Sequence, residues 1–133
     1  MFVTSLFLML LGTAQAQTPD LVKNNYLLLS KNIQQLRPIM MTAGELARLD
    51  GEAYGEFHVV ICGKTVQNIP GNREFNDLLK EAVAQGMKVF VCGISLEGNK
   101  VVPSQLPKEL KVVDNGILYG LQAIKNGFIA LTI

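Results

Sequence analysis

The stretch NREFNDLLKEAVAQGMKVFVC, Asn72 to Cys92, decides the fold. Asn72 can cap a helix, and Phe75, Leu78, Leu79, Ala82 and Val83 recur at helical spacing on one stripe. Gly86 stops that helix, and Lys88–Cys92 (KVFVC) follows as a strand. Upstream, Phe57–Cys62 (FHVVIC) is a second strand, apolar throughout apart from His58, as expected where helices cover a sheet on both sides. Strand, helix and strand, with Gly, Asn or Pro at the joints, make the repeating unit of a parallel α/β sheet.

The same alternation extends in both directions. Tyr26–Ser30 (YLLLS) reads as a first strand, followed by a helix from about Pro38, a good first-turn residue, to Leu49, with Asp50-Gly51 as its end. Met40 and Met41 fall on that helix, where core packing is the default. Downstream, the Pro-punctuated segment Val101–Glu109 has room for at most a short helix. Leu110–Val113 is a brief fourth strand. Asp114 or Asn115 then caps a helix bearing Ile117, Leu118, Leu121 and Ile124 and ending at Asn126-Gly127, and Phe128–Ile133 (FIALTI) is the last strand.

Composition excludes more than it names. A chain of 133 residues and 14.6 kDa allows one ordinary domain and no second. Twelve Lys and Arg against eleven Asp and Glu leave a net charge of +1, so there is no electrostatic footprint for nucleic acid or an anionic membrane. One histidine, His58, cannot supply the two or three imidazoles of many zinc sites, and the HExxH protease motif is absent. No feature of the sequence calls for a metal or a nucleotide cofactor.

The first sixteen residues, MFVTSLFLMLLGTAQA, carry an apolar run at Leu6–Leu11 and end in Ala14-Gln15-Ala16, the small-x-small arrangement of an export-signal cleavage site. The expected division is a signal peptide at 1–16 and a single domain at 17–133, in the periplasm or otherwise exported. No Lys or Arg precedes the apolar run. The run is shorter than the roughly 20 residues a spanning helix needs, so no stable membrane anchor is expected. Without the leader, the apolar fraction falls from 49% to roughly 46%, ordinary for a soluble domain.

One internal echo carries chemistry. The second strand ends VVICGKT (Val59–Thr65) and the third ends VFVCGIS (Val89–Ser95), so each cysteine stands where its strand gives way to a loop, with glycine next. Open α/β sheets bind ligands at the carboxyl ends of their strands. Glycine there permits a sharp turn, and a thiol on such a turn is made acidic by a helix N-terminus or by a cation such as Lys64. Three readings of Cys62 and Cys92 follow. They form a structural disulfide, which needs the two strands to be immediate neighbours; both are small buried apolar residues; or one, Cys92 in preference, is a reactive thiol at an open rim.

Other residues read as structural. His58 lies four residues before Cys62, about 13 Å away along the strand, and is expected at a surface or edge. Asp50 and Glu52 flank a glycine turn and are expected to be solvated. Gly63–Gly71 (GKTVQNIPG) lacks the GxxxxGK[ST] order that wraps phosphates.

From Tyr26 to Ile133 the chain resembles the DsrE/DsrF-like family of small sulfur-relay and sulfur-metabolism proteins. The resemblance is carried by FHVVICGKTV, by EFNDLLKEAVAQGMKV running into FVCGISLEG, and by LKVVDNGILYGLQAIKNGFIALTI. The strand ending in Cys92-Gly93, followed by Ser95 and Leu96, is its most specific part. The resemblance implies a three-layer α/β/α sandwich around a mainly parallel five-stranded sheet, assembled as a homo-oligomer, a trimer or hexamer. It also implies a cysteine at the position of Cys92 that accepts sulfane sulfur as a persulfide and hands it to a partner protein's thiol.

In that chemistry the N–H groups of Gly93 and Ile94 and the hydroxyl of Ser95 would stabilise the anionic sulfur, with Cys62, Gly63 and Lys64 forming the neighbouring wall. The rival reading is a non-catalytic oligomeric small-molecule-binding domain with packed cysteines. A thiol-disulfide exchanger stands behind both, since the CxxC spacing is absent.

Overall fold

The computed structural model describes residues 12–13 and 20–133, and the expected leader lies almost wholly outside them. Five strands form one sheet: β1 Asn24–Ser30, β2 Tyr54–Ile61, β3 Lys88–Cys92, β4 Lys111–Val113 and β5 Ile129–Thr132. Their order is β4-β3-β2-β1-β5, and every pairing is parallel. The helices are α1 Leu36–Asp50, α2 Arg73–Ala84, α3 Gly93–Gly98 and α4 Gly116–Lys125. With helices on both faces, the domain is the expected α/β/α sandwich.

The two faces differ in depth. Alternate residues of β2, Phe57, Val59 and Ile61, point into the larger core with Leu36, Ile39, Phe75 and Leu79 from α1 and α2 and Leu96 from α3. The intervening residues His58 and Val60, and Cys62 just past the end of β2, face the other way, where Leu27, Val60 and Ala123 form a smaller core beneath α4.

Local chemistry explains most boundaries. Asn72 caps α2 by accepting the Phe75 N–H at 3.0 Å. Asn115, rather than Asp114, caps α4, accepting from the Ile117 and Leu118 N–H groups at 3.0 and 3.1 Å. Helix α3 has no counterpart in the sequence reading, because six residues give too few turns to establish a period.

Four side-chain placements correct the sequence reading. Val83 lies outside the buried stripe of α2, and Met41 is exposed while Met40 is buried. His58 is buried rather than at a surface or edge. Asp50 accepts a 2.6 Å hydrogen bond from the Tyr26 hydroxyl rather than being simply solvated.

The orientation of α4 goes beyond the sequence reading. Its inward stripe is Gly116, Gly120 and Ala123, whereas Ile117, Leu118, Leu121 and Ile124 are all more than half exposed. Small inward residues let the helix lie close to the sheet, and a methyl group at Gly120 would be 3.4 Å from Leu29 Cδ1. The larger apolar residues consequently point away from the domain, continuous in kind with the exposed Ile129, Leu131 and Ile133 of the edge at β5. No helix among the described residues is long and apolar enough to cross a membrane.

Candidate functional site

Strand direction and helix placement together locate the site. After β3 the chain enters α3, whose Leu96 joins the larger core, and after the neighbouring β4 it enters α4 on the opposite face. Adjacent parallel strands whose connections leave on opposite faces make a topological switch point, where open α/β sheets form their crevice. Cys92, the last residue of β3, stands there between the N-termini of α3 and α4.

The backbone of α4 closes over it. The N–H of Gly116 donates to Cys92 Sγ at 3.3 Å. A methyl group on Gly116 would be 2.8 Å from Cys62 Sγ, 2.9 Å from Val60 Cγ1 and 3.1 Å from Cys92 Cβ. Only a residue without a side chain can therefore bring its N–H to that sulfur. The Ser95 hydroxyl, one turn into α3, accepts the Gly63 N–H at 2.8 Å and donates to Cys92. Gly63 takes φ 84°, a left-handed conformation that costs glycine little, which turns its N–H toward Ser95.

The electrostatic balance separates the two cysteines. Burial pushes the Cys92 thiol up, but the Gly116 N–H, the Ser95 hydroxyl and the N–H groups of Ser95 and Ile94 together pull it below the ordinary thiol value. Oriented N–H groups at helix starts favour a thiolate. Cys62 goes the other way, pushed up to about 11 by burial first, then by the charge on Cys92 and its hydrogen bond to that residue, with Lys31 opposing. The site thus holds one acidic thiol beside one that keeps its proton, and both are free.

The predicted site residues divide accordingly. Cys92, Ser95, Cys62 and Gly63 converge. Ile94 N–H donates to the Asp114 carbonyl at 3.2 Å and adds least to the thiolate. Gly93 packs under that same carbonyl, where a methyl would come within 3.0 Å of it. Lys64 is exposed and is not the cation acting on either thiol; Lys31 acts on Cys62. Cys92 itself is only 4% exposed, against the expected open rim, because α4 roofs it. Cys62, half-buried, is the more accessible of the pair. β2 pairs directly with β3, so the adjacency that a disulfide needs is present, although both thiols are free.

Gly116 was not among the predicted residues. The sequence signal that could have found it is the Asn115-Gly116 step opening a helix, a cap followed by a residue able to approach another chain segment closely. A second polar group also emerges on this face. His58 Nδ1 shares a 2.6 Å hydrogen bond with the Tyr119 hydroxyl, within a group of rings that includes Phe90 and Phe128. No group of three or more His, Cys, Asp and Glu side chains among the described residues is placed to hold a metal ion.

Comparison with known proteins gives a family and a fold. The sequence profile of the DsrE/DsrF-like family matches residues 6–131. A solved protein of unknown function from Methanobacterium thermoautotrophicum superposes with a TM-score of 0.65 at 13% identity, over 84% of this chain and 99% of its own. Another, from Bacteroides thetaiotaomicron, gives 0.64 at 18% identity, over 83% and 95%. At these identities the likeness is one of fold. No curated protein matches the sequence.

Proposed function

The chain belongs to the DsrE/DsrF-like family, and from that premise we propose that it is a sulfur-trafficking protein: Cys92 accepts a sulfane sulfur as a persulfide and passes it to the thiol of a partner protein. The observation that carries the reading is the set of donors around Cys92 Sγ, led by the Gly116 N–H at 3.3 Å, which favours the thiolate. Only the thiolate attacks sulfur. In the step itself, the Cys92 thiolate attacks a sulfur of the donor, the donor's S–S bond breaks, and the shortened donor leaves as an anion. The same N–H groups then face the persulfide anion, and a partner thiolate removes its outer sulfur. Incubating the reduced protein with polysulfide and measuring intact mass tests this. A gain of one sulfur, about 32 Da, that disappears in Cys92→Ala is expected; no such gain in either wild type or Cys62→Ala removes the proposal.

The burial of Cys92 favours a second reading, a non-catalytic oligomeric binding domain with packed cysteines. It predicts that Cys92 resists alkylation until the protein unfolds. Both readings share a homo-oligomer, for which a trimer or hexamer is the family expectation. The outward apolar face of α4 and the exposed residues of β5 support self-association, because contiguous apolar surface of this kind marks interfaces. The leader expected at 1–16 would place the carrier outside the cytoplasm.

A further inference from the structure

Cys62 and Cys92 stand side by side at the carboxyl ends of adjacent strands. Ile61 pairs with Val91, so the next residue on each of these parallel strands is a cysteine, with both side chains on the face covered by α4. The Cys62 N–H still bonds the Ser30 carbonyl at 2.9 Å, which holds that backbone in the ladder. Adjacent strands lie about 4.8 Å apart, within the range of about 4.4 to 6.8 Å between Cα atoms that a disulfide accepts. A methyl at Gly116 would touch both Cys62 Sγ and Cys92 Cβ, which puts these two atoms within about 6 Å of each other. Gly116, the α4 residue that meets both, has no side chain to place between them.

We propose that Cys62 is the resolving thiol for sulfur carried on Cys92, discharging it as hydrosulfide and leaving a Cys62–Cys92 disulfide. The proposal rests on the carrier reading above and adds a fate for the sulfur that needs no partner protein. With inorganic polysulfide as donor, the Cys92 thiolate takes one sulfur, and a polysulfide shorter by one sulfur leaves. Cys62 then gives its proton to the terminal sulfur as its own sulfur attacks Cys92 Sγ. The bond from Sγ to the carried sulfur breaks, the disulfide forms and hydrosulfide departs. The two electrons that reduce the sulfane sulfur come from the two cysteine sulfurs, so this half-turnover consumes no outside reductant. A low-molecular-weight thiol returns the disulfide to two thiols.

The contrast between the thiols sets the order of events. Cys92 is the better nucleophile toward the donor, and Cys62, pushed up to about 11, stays protonated at neutral pH and attacks slowly. Because the Cys62 proton leaves with the departing sulfur, discharge keeps a level rate between about pH 7 and 9, below the Cys62 value of about 11.

The test loads reduced wild-type, Cys62→Ser and Cys62→Ala proteins with polysulfide at about pH 7, desalts them, and follows intact mass and released sulfide over time. Wild type is expected to lose the added sulfur and finish about 2 Da lighter than the reduced chain, with one sulfide released per chain, while both Cys62 variants keep the adduct. If wild type holds the sulfur as long as the variants do and never shows the 2 Da loss, the resolving role is overturned and the carrier reading stands. If neither Cys62 variant nor wild type takes up sulfur, the carrier reading fails and this proposal fails with it.

Discussion

The N–H of Gly116 donates to Cys92 Sγ at 3.3 Å across 24 residues of sequence. That one bond ties the last residue of β3 to the first residue of α4, and it makes the position of a helix a condition for the state of a thiol.

Gly116→Ala tests the closeness of the approach. The added methyl would meet Cys62 Sγ, Val60 Cγ1 and Cys92 Cβ at 2.8 to 3.1 Å, so α4 must shift. A loss of about 1–3 kcal/mol in urea unfolding is expected, together with faster alkylation of Cys92 in the folded protein. Unchanged stability and labelling would show that the helix does not bear on the thiols. Asn115→Ala weakens the same helix start more gently, by about 1 kcal/mol, through the loss of two capped N–H groups.

Tyr119→Phe removes the partner of a buried imidazole. His58 Nδ1 would lose its 2.6 Å hydrogen bond, at an expected cost of about 1–3 kcal/mol in the free energy of urea unfolding.

His58 also sets a pH dependence. Burial, the leading influence, pushes its pKa below the ordinary 6.5; Glu56 opposes this and Lys88 adds to it. The unfolded chain therefore binds the proton first, so stability is complete above 6.5 and declines as pH falls from there toward the lower folded value. The Glu56 carboxyl is held below its ordinary 4.5, chiefly by its hydrogen bond with Lys88, so its contribution is lost only at more acid pH. Urea midpoints between about pH 7.5 and 5 should slope for wild type and flatten for His58→Gln. Equal slopes would assign the effect elsewhere.

The outer face of α4 predicts assembly. Ile117→Asp combined with Leu121→Asp places charge on residues that are 67% and 57% exposed in the single chain, so the fold should survive with unchanged far-ultraviolet dichroism. Light scattering should show a multimer for wild type and a smaller species for the double variant. A wild-type monomer would contradict the proposed self-association.

Much of this architecture was legible in the residues. The strand ends at Cys62 and Cys92, the Asn72 cap and the helix stop at Gly86 follow from local chemistry, and local chemistry is what a linear sequence records. Contacts across the chain were not legible. Gly116 meets Cys92 from 24 residues away, and Tyr119 meets His58 from 61, so neither partnership leaves a periodic trace. The direction of α4 was not legible for a related reason. Its large apolar residues outnumber its small ones, and a period cannot tell a face that packs on a sheet from one left for another surface. The roof over Cys92 is the sum of these two omissions.

The pH dependence of Cys92 alkylation in folded Cys62→Ala protein measures the central claim most directly. Iodoacetamide labelling, located by peptide mass, should follow a single titration with its midpoint below the ordinary thiol value of 9.0. A midpoint at or above that value, or no labelling until the protein unfolds, would contradict a Cys92 thiolate held ready by Gly116 and Ser95.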